Sequence, residues 1–279
     1  MLISRIFPAG WPGTAVTVGL LLAGCSSPAA KTESPVTAGT APAPSPLQVV
    51  AEFTDPQMVG VAVAGGKTFA CFPRWDYNPP FPIAEVGPNN TLTPYPDAGW
   101  CTWNDSVKSE PLKHWICPQS VFADKEGMVW VLDPASPGIK GTVPGGPKLV
   151  TTDPATGKVL LTIPFSEAVA PRKSYLNDVR IDLAHQYAYI TESGLGALVV
   201  VDLKTQKARS VLGQHPSTKA EKGLVIKAEG HPMLDLKGKP AMFNADGIAL
   251  SADNAYLYYC PSPATGFTAS PPPPCATPP

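Results

Sequence analysis

The chain has 279 residues and a formal net charge of −1, with 21 basic and 22 acidic residues and no block of like charge. That balance leaves no electrostatic footprint for nucleic acid or for an anionic membrane surface. A hydrophobic content of 44% with 15% charged residues suits a globular β protein with a sizeable core, and no apolar run is long enough for a spanning helix in the mature chain.

Residues 1–25 read as a targeting segment. Arg5 gives a thin positive start, residues 15–23 are apolar, and Leu22-Ala23-Gly24-Cys25 matches a bacterial lipobox, in which the cysteine is lipidated and becomes the mature N-terminus. The expected location is therefore the cell envelope or exterior, with a lipid anchor at Cys25 as the link to the membrane. Ser26 is compatible with an outer surface. Residues 26–46, rich in Ala, Pro, Ser and Thr, bury too little apolar surface to offset the entropy of ordering and read as a tether. Residues 47–53 then read as the first strand of a folded region that runs to residue 260.

Within that region one pattern recurs. Apolar positions at Val61, Val121, Val179 and Ile248 are each followed eight residues later by Phe69, Val129, Tyr187 and Tyr256, with a turn between. The starts lie 60, 58 and 69 residues apart. The clearest copy begins at Tyr175. Val179, Ile181 and Leu183 share a face of one strand, Tyr187 and Tyr189 open a second, residues 197–201 make a third, and residues 208–212 a fourth. Four short antiparallel strands in under 40 residues have the size of a β-propeller blade. On the opposite face of the first strand, Arg180 and Asp182 read as an ion pair.

The connecting segments carry less pattern. Residues 84–115 are loop-rich, and Trp100, Trp103 and Trp115 there read either as the lining of a ligand mouth or as cover for a blade flank. Residues 147–153 and 158–163 read as a hairpin. The glycine/proline loop at residues 138–147 lacks the spacing of a phosphate loop, and there is no Gly-x-Ser-x-Gly elbow. His114, His185, His215 and His231 are spread over loops without metal-ligand spacing. Residues 261–279 read as a disordered proline-rich tail unable to supply strands. Among six cysteines there is no Cys-x-x-Cys. Cys101 and Cys117 flank a short polar excursion, and a bridge between them would contribute roughly 3 kcal/mol.

Several of these motifs together resemble the bacterial branch of the major royal jelly/yellow protein family. They are Pro144-Gly145-Gly146-Pro147-Lys148-Leu149-Val150, Tyr175-Leu176-Asn177-Asp178-Val179-Arg180-Ile181-Asp182, Ala188-Tyr189-Ile190-Thr191-Glu192-Ser193-Gly194 and Ala245-Asp246-Gly247-Ile248-Ala249-Leu250-Ser251, within a similarity over about residues 48–260. The resemblance implies an all-β, six-bladed propeller, usually secreted, distantly similar to the senescence-marker/gluconolactonase propellers. At about 60 residues each, six units need roughly 360 residues, whereas residues 47–259 span 213. The expectation is an incomplete propeller of about four blades in an open arc, as a truncated reading frame would give.

In a propeller, residues just before each inner strand converge on the central channel. Two places before each repeat stand Val59, Gln119, Asn177 and Asp246, with Asp178 adjacent. Gln119, Asn177, Asp178 and Asp246 are thus candidates to bind a small polar or aromatic ligand, and Asn177 and Asp246 to hold Ca²⁺ or another divalent cation. The gluconolactonase-like relatives use a Glu, an Asn and an Asp with a metal that polarises the lactone and activates water; here Val59 stands where a carboxylate is wanted. The same Asn-Asp and Asp-Gly pairs are also good turn formers. Three functions follow as alternatives: an envelope-anchored ligand binder, a metal-dependent lactonase-like hydrolase, or a protein-interaction scaffold.

Overall fold

The computed structural model describes residues 47–235 and 238–272. The lipobox, Cys25 and the tether lie outside the described residues, as do residues 273–279 of the tail. The elements below all fall within one compact unit, Val49–Pro279.

The repeats become blades. The first holds β1 (Gly60–Ala64), β2 (Lys67–Cys71), β3 (Ile83–Val86) and β4 (Leu92–Pro94). The second holds β5 (Ser120–Ala123), β6 (Val129–Asp133), β7 (Lys148–Thr152) and β8 (Val159–Pro164). The third holds β9 (Leu176–Asp182), β10 (Tyr187–Glu192), β11 (Ala197–Asp202) and β12 (Lys207–Val211). A small hairpin, β13 (Lys227–Ala228) with β14 (His231–Pro232), precedes the fourth blade of β15 (Phe243–Leu250), β16 (Leu257–Ser262) and β17 (Thr268–Ser270). Each blade is an antiparallel meander with consecutive strands adjacent, and β1 meets β5, β5 meets β9 and β9 meets β15, so the first strand of each is the inner one.

Alternation along the strands explains how the blades stack. Phe69, Cys71 and Ile83 of the first blade meet Val121, Val129, Val131 and Val150 of the second in one cluster. The other face of the second blade, with Trp130, Leu132, Leu149 and Ile163, packs on Val179, Ile181, Ile190 and Val199 of the third. Tyr189, Leu198 and Val200 carry the third blade onto Ile248, Leu257 and Tyr259 of the fourth. Both faces of the middle blades are therefore buried, which is why β6 and β11 read as nearly continuous apolar runs. The first apolar position of each repeat faces the preceding blade. Val121, Val179 and Ile248 are buried accordingly, whereas Val61 is 57% exposed because no described blade stands before it. The four blades make an all-β, open propeller arc.

Four details differ from the sequence reading. Residues 47–53 form no strand, because the backbone of Glu52 is satisfied by the Asn90 side chain, which accepts from its N–H and donates to its carbonyl. Phe53 instead lies edge-on to Phe72, 5.4 Å between centroids, over the outer face of the first blade. The loop-rich stretch after residue 84 contains the two outer strands of that blade. The tail supplies a strand after all, since β17 pairs along β16 from Tyr259 to Leu257. Arg180 pairs with Asp178 at 2.9 Å rather than with Asp182, whose carboxylate caps the following turn through His185 and takes a hydrogen bond from Asn254 of the fourth blade at 2.8 Å.

The disulfide expected between Cys101 and Cys117 is not formed. Both are free and buried; the Cys101 thiol donates to the carbonyls of Ile83 and Tyr95, and the Cys117 thiol to that of Arg74. Burial pushes the Cys101 thiol up to about 11 and the Cys117 thiol up to about 12, so neither supplies thiolate at neutral pH. Alkylation of the folded, unreduced protein is expected to mark Cys260 and spare Cys71, Cys101 and Cys117, while denaturation without reductant should release all four. Protection of Cys101 and Cys117 that survives denaturation would mean that a bridge exists.

Candidate functional site

The positions two places before the first apolar residue of each repeat do converge, Asn177 and Asp246 lying within the inner strands themselves. Gln119, Asn177, Asp178 and Asp246 line one cleft of about 590 Å³ together with Val59, Trp75, Phe122 and Arg180. A contiguous hollow of about 420 Å³ shares Trp75, Gln119, Asn177 and Asp246 and adds Tyr175, Ser193 and Phe243. Three blades thus contribute residues in or just before their inner strands to one polar floor, and aromatic side chains from the first, second and fourth blades flank it.

The floor is ordered by a chain of hydrogen bonds. The Trp75 indole Nε1–H donates to the Tyr175 hydroxyl at 2.8 Å, and that hydroxyl donates to Gln119 Oε1 at 2.6 Å. Gln119 Nε2 donates to Asn177 Oδ1 at 3.0 Å, and Asn177 Nδ2 donates to Asp246 Oδ1. An indole N–H can only donate. The Asp246 carboxylate at the other end can only accept, so Asn177 turns its Nδ2 to it and its Oδ1 to Gln119, and the orientations of both amides follow. The series ends on a carboxylate. Ser193 Oγ sits 3.5 Å from the same Asp246 oxygen, and Thr191 Oγ1 holds the Asp246 carbonyl at 2.8 Å. Burial raises the Asp246 pKa above the ordinary carboxylate value, against the lowering effect of Ser193 and with a smaller contribution from the Asp178 charge.

Asp178 is occupied differently. Ser120 Oγ donates to its Oδ1 at 2.7 Å, and Arg180 bridges its Oδ2 at 2.9 Å while lying 5.3 Å from the centroid of the Phe122 ring. The Asp178 charge is therefore balanced within the cleft, and Asp246 is the carboxylate there without an ion-pair partner.

This donor set does not match what a hard divalent cation requires. Ca²⁺ takes six to eight oxygens with several carboxylates among them. Here Asn177 Oδ1 and Asp246 Oδ1 are engaged in the hydrogen-bond chain, Asp178 is paired with Arg180, and Val59 offers no oxygen from its side chain. Among the described residues, no three His, Cys, Asp or Glu side chains gather as a metal site.

The tryptophans of the loop-rich stretch mostly cover the first blade. Trp115 is fully buried against Trp100, at 4.5 Å between centroids, and donates to the Tyr95 carbonyl at 2.8 Å. His114 is buried with Nδ1 on the Gly99 carbonyl at 2.8 Å, whereas His185 is a turn residue on Asp182. Sequence reasoning missed Trp75 and Tyr175. Tyr175 lies two places before Asn177, so the position rule could have reached it; Trp75, in a proline-rich loop, gave no periodic signal.

Antiparallel blades side by side, with polar residues from successive inner strands on one central cleft, define a β-propeller with a channel site. A model of the major royal jelly protein family matches residues 116–263, more than half of the chain, and the chain belongs to that family. No curated protein matches it. Similar solved structures include an auxiliary nutrient binding protein from Bacteroides ovatus, 13% identical with a TM-score of 0.44, over 79% of this chain and 46% of that one. Others are a periplasmic gluconolactonase from Pseudomonas aeruginosa, 14% identical with a TM-score of 0.38, over 72% and 49%, and YCF48 bound to a D1 peptide, 10% identical with a TM-score of 0.39, over 73% and 47%. The chain spans about half the length of each. Among the described residues no helix is long and apolar enough to cross a membrane.

Proposed function

We propose that this propeller binds a small polar or aromatic ligand in the cleft between its inner strands, and that a lipid on Cys25 holds it at the cell envelope. The observation that carries the binding reading is the one-directional chain from Trp75 to Asp246. It is a preorganised polar floor, in which the groups that would meet a ligand are already oriented by neighbours. Asp246 is the group left to accept from a hydroxyl or ammonium, while Trp75 and Phe122 offer ring faces to an apolar or aromatic part.

A thermal-shift screen of sugars, lactones and aromatic amines, followed by calorimetry on the hits, tests this. Asp246→Asn keeps the acceptor oxygen that Asn177 needs and removes the charge. It is expected to weaken the ligand by roughly tenfold, the effect of losing one charge-assisted hydrogen bond, with the fold retained. The raised Asp246 pKa gives a further sign. A carboxyl raised on folding contributes stability that is fully present below its unfolded pKa and lost as pH rises through the folded value. The melting temperature of Asp246→Asn should therefore hold up better than wild type as pH increases across that window. Unchanged affinity in Asp246→Asn would remove the cleft as the site. Turnover of a lactone that depends on added calcium, and is lost in Asn177→Ala and Asp246→Ala, would replace this reading with the hydrolase. The anchor is tested by mass spectrometry of the mature N-terminus, where a diacylglyceryl Cys25 is expected and an unmodified terminus elsewhere would exclude it.

A further inference from the structure

The hydrogen-bonded row from Trp75 to Asp246 borders two hollows, and they differ in character. The larger cleft carries the Asp178–Arg180 pair and the Ser120 hydroxyl. The hollow of about 420 Å³ has no charged side chain except Asp246, and it adds Ile139, Met242 and Phe243 to the ring of Tyr175 and the indole of Trp75. Ile139 comes from the connection between β6 and β7, and Met242 and Phe243 from the entry to β15.

Those three added side chains are left open. Ile139 is 58% exposed, Met242 42% and Phe243 38%. Apolar residues scattered singly over a surface are ordinary. Three large ones around one hollow, next to a polar floor, form a patch of the kind that a ligand covers.

A second observation concerns the backbone. Ile139 has a φ of 55°, directly after Gly138 at 64°. The left-handed region is costly for a β-branched residue, and such strain persists only where the surroundings impose it. Here they do: the Ile139 N–H donates to the Ser136 carbonyl at 3.0 Å, and the Gly138 N–H donates to the Arg74 carbonyl at 2.8 Å, which ties the turn to the loop of Trp75. Glycine or asparagine would fit this turn without the cost. Isoleucine buries little in return, so what it adds is apolar surface at the hollow.

We infer that the ligand is an amphiphile, with a hydroxyl- or ammonium-bearing head on Asp246 and an apolar chain lying against Ile139, Met242 and Phe243. This rests on the ligand-binding reading above and narrows it to a chemical class. The chain covers the apolar side chains that the blades leave open, while the head meets the one carboxylate without an ion-pair partner. A neighbouring depression of about 460 Å³ shares Ile139 and Tyr175 and gives a longer chain room to continue.

The test uses the full chain and two probe series, n-alkyl glucosides and n-alkylamines from methyl to octyl, each kept below micelle formation. Calorimetry on at least one series is expected to show affinity rising by about threefold per added methylene, the scale of a largely buried CH₂ group, until the hollow is filled. Ile139→Asn should flatten that rise and leave the shortest binding member unaffected. Its melting temperature should match or exceed that of wild type, because asparagine accepts the left-handed backbone. Met242→Ser, which lies outside the turn, should flatten the rise as well. Asp246→Asn should weaken every member by a common factor, which separates the head from the chain. Affinity that does not grow with chain length, or growth that survives both Ile139→Asn and Met242→Ser, overturns the amphiphile and leaves the cleft as a binding site. Silence of both series beside a compact ligand that binds through Asp246 does the same, and silence of every compound overturns both readings.

Discussion

Asp133→Ala is expected to destabilise the fold by about 3–5 kcal/mol, the usual range when one partner of a buried ion pair is removed. Asp133 and Lys148 are both fully buried and meet at 2.8 Å. The carboxylate also accepts from the backbone N–H groups of Ile116 at 2.8 Å, Cys117 at 3.0 Å and Ala135 at 2.8 Å. Its loss leaves three N–H groups and an ammonium in the core. Lys148 retains the Gly146 carbonyl at 3.2 Å and the Trp115 ring at 5.8 Å, which do not neutralise it. Burial already lowers the Lys148 pKa, and Asp133 is the group that opposes this. Lys148→Met should cost clearly less, because Asp133 keeps its three N–H donors and an apolar chain fills the space. Urea denaturation of the two variants checks the order. Equal midpoints would show that the carboxylate is not the centre of this network.

Glu192→Gln is expected to cost about 3 kcal/mol, on the scale of two lost hydrogen bonds to a buried charged group. The carboxylate is 2% exposed and accepts four backbone N–H groups: Tyr175 at 2.7 Å and Gly194 at 2.9 Å on Oε1, Leu195 at 2.8 Å and Gly196 at 3.0 Å on Oε2. An amide in its place turns an NH₂ group toward two of those donors. Two readouts should move together. Hydrogen exchange at residues 194–196 should accelerate, and ligand affinity in the cleft should fall because Tyr175 hangs from the same carboxylate. Normal exchange at those amides in Glu192→Gln would refute the assignment.

The blades were legible because their signal is local and periodic. Alternation along Val179 to Ile181, and the return of an apolar residue eight places on, reflect a strand, a short turn and a second strand that every blade must have. The polar cleft was legible for a related reason, since a fixed offset from each repeat start places Gln119, Asn177 and Asp246 on one axis. Trp75 and Tyr175 lie 100 residues apart, and no offset links them. The same holds for Asp133 with Lys148, whose burial is set by the loop carrying Trp115. The two outer strands of the first blade stayed hidden among prolines. The unbridged Cys101 and Cys117 show that closeness along the chain does not bring two thiols together when each has its own carbonyl.

The tryptophan at the head of the hydrogen-bond chain has a consequence for selectivity. Amide side chains look nearly the same from either end, and two in series have two self-consistent arrangements related by turning both over. The two ends break that symmetry, because the indole can only donate and the carboxylate can only accept. With Trp75→Phe the Asp246 carboxylate still holds Asn177 and Gln119 in their present sense, and the tyrosine hydroxyl keeps its donation to Gln119 while one of its lone pairs is released. The cleft would then gain one acceptor and lose a ring. Such a variant should favour hydroxyl-bearing over carbonyl-bearing ligands more than wild type does, although the altered residue lies in the first blade and the carboxylate in the fourth.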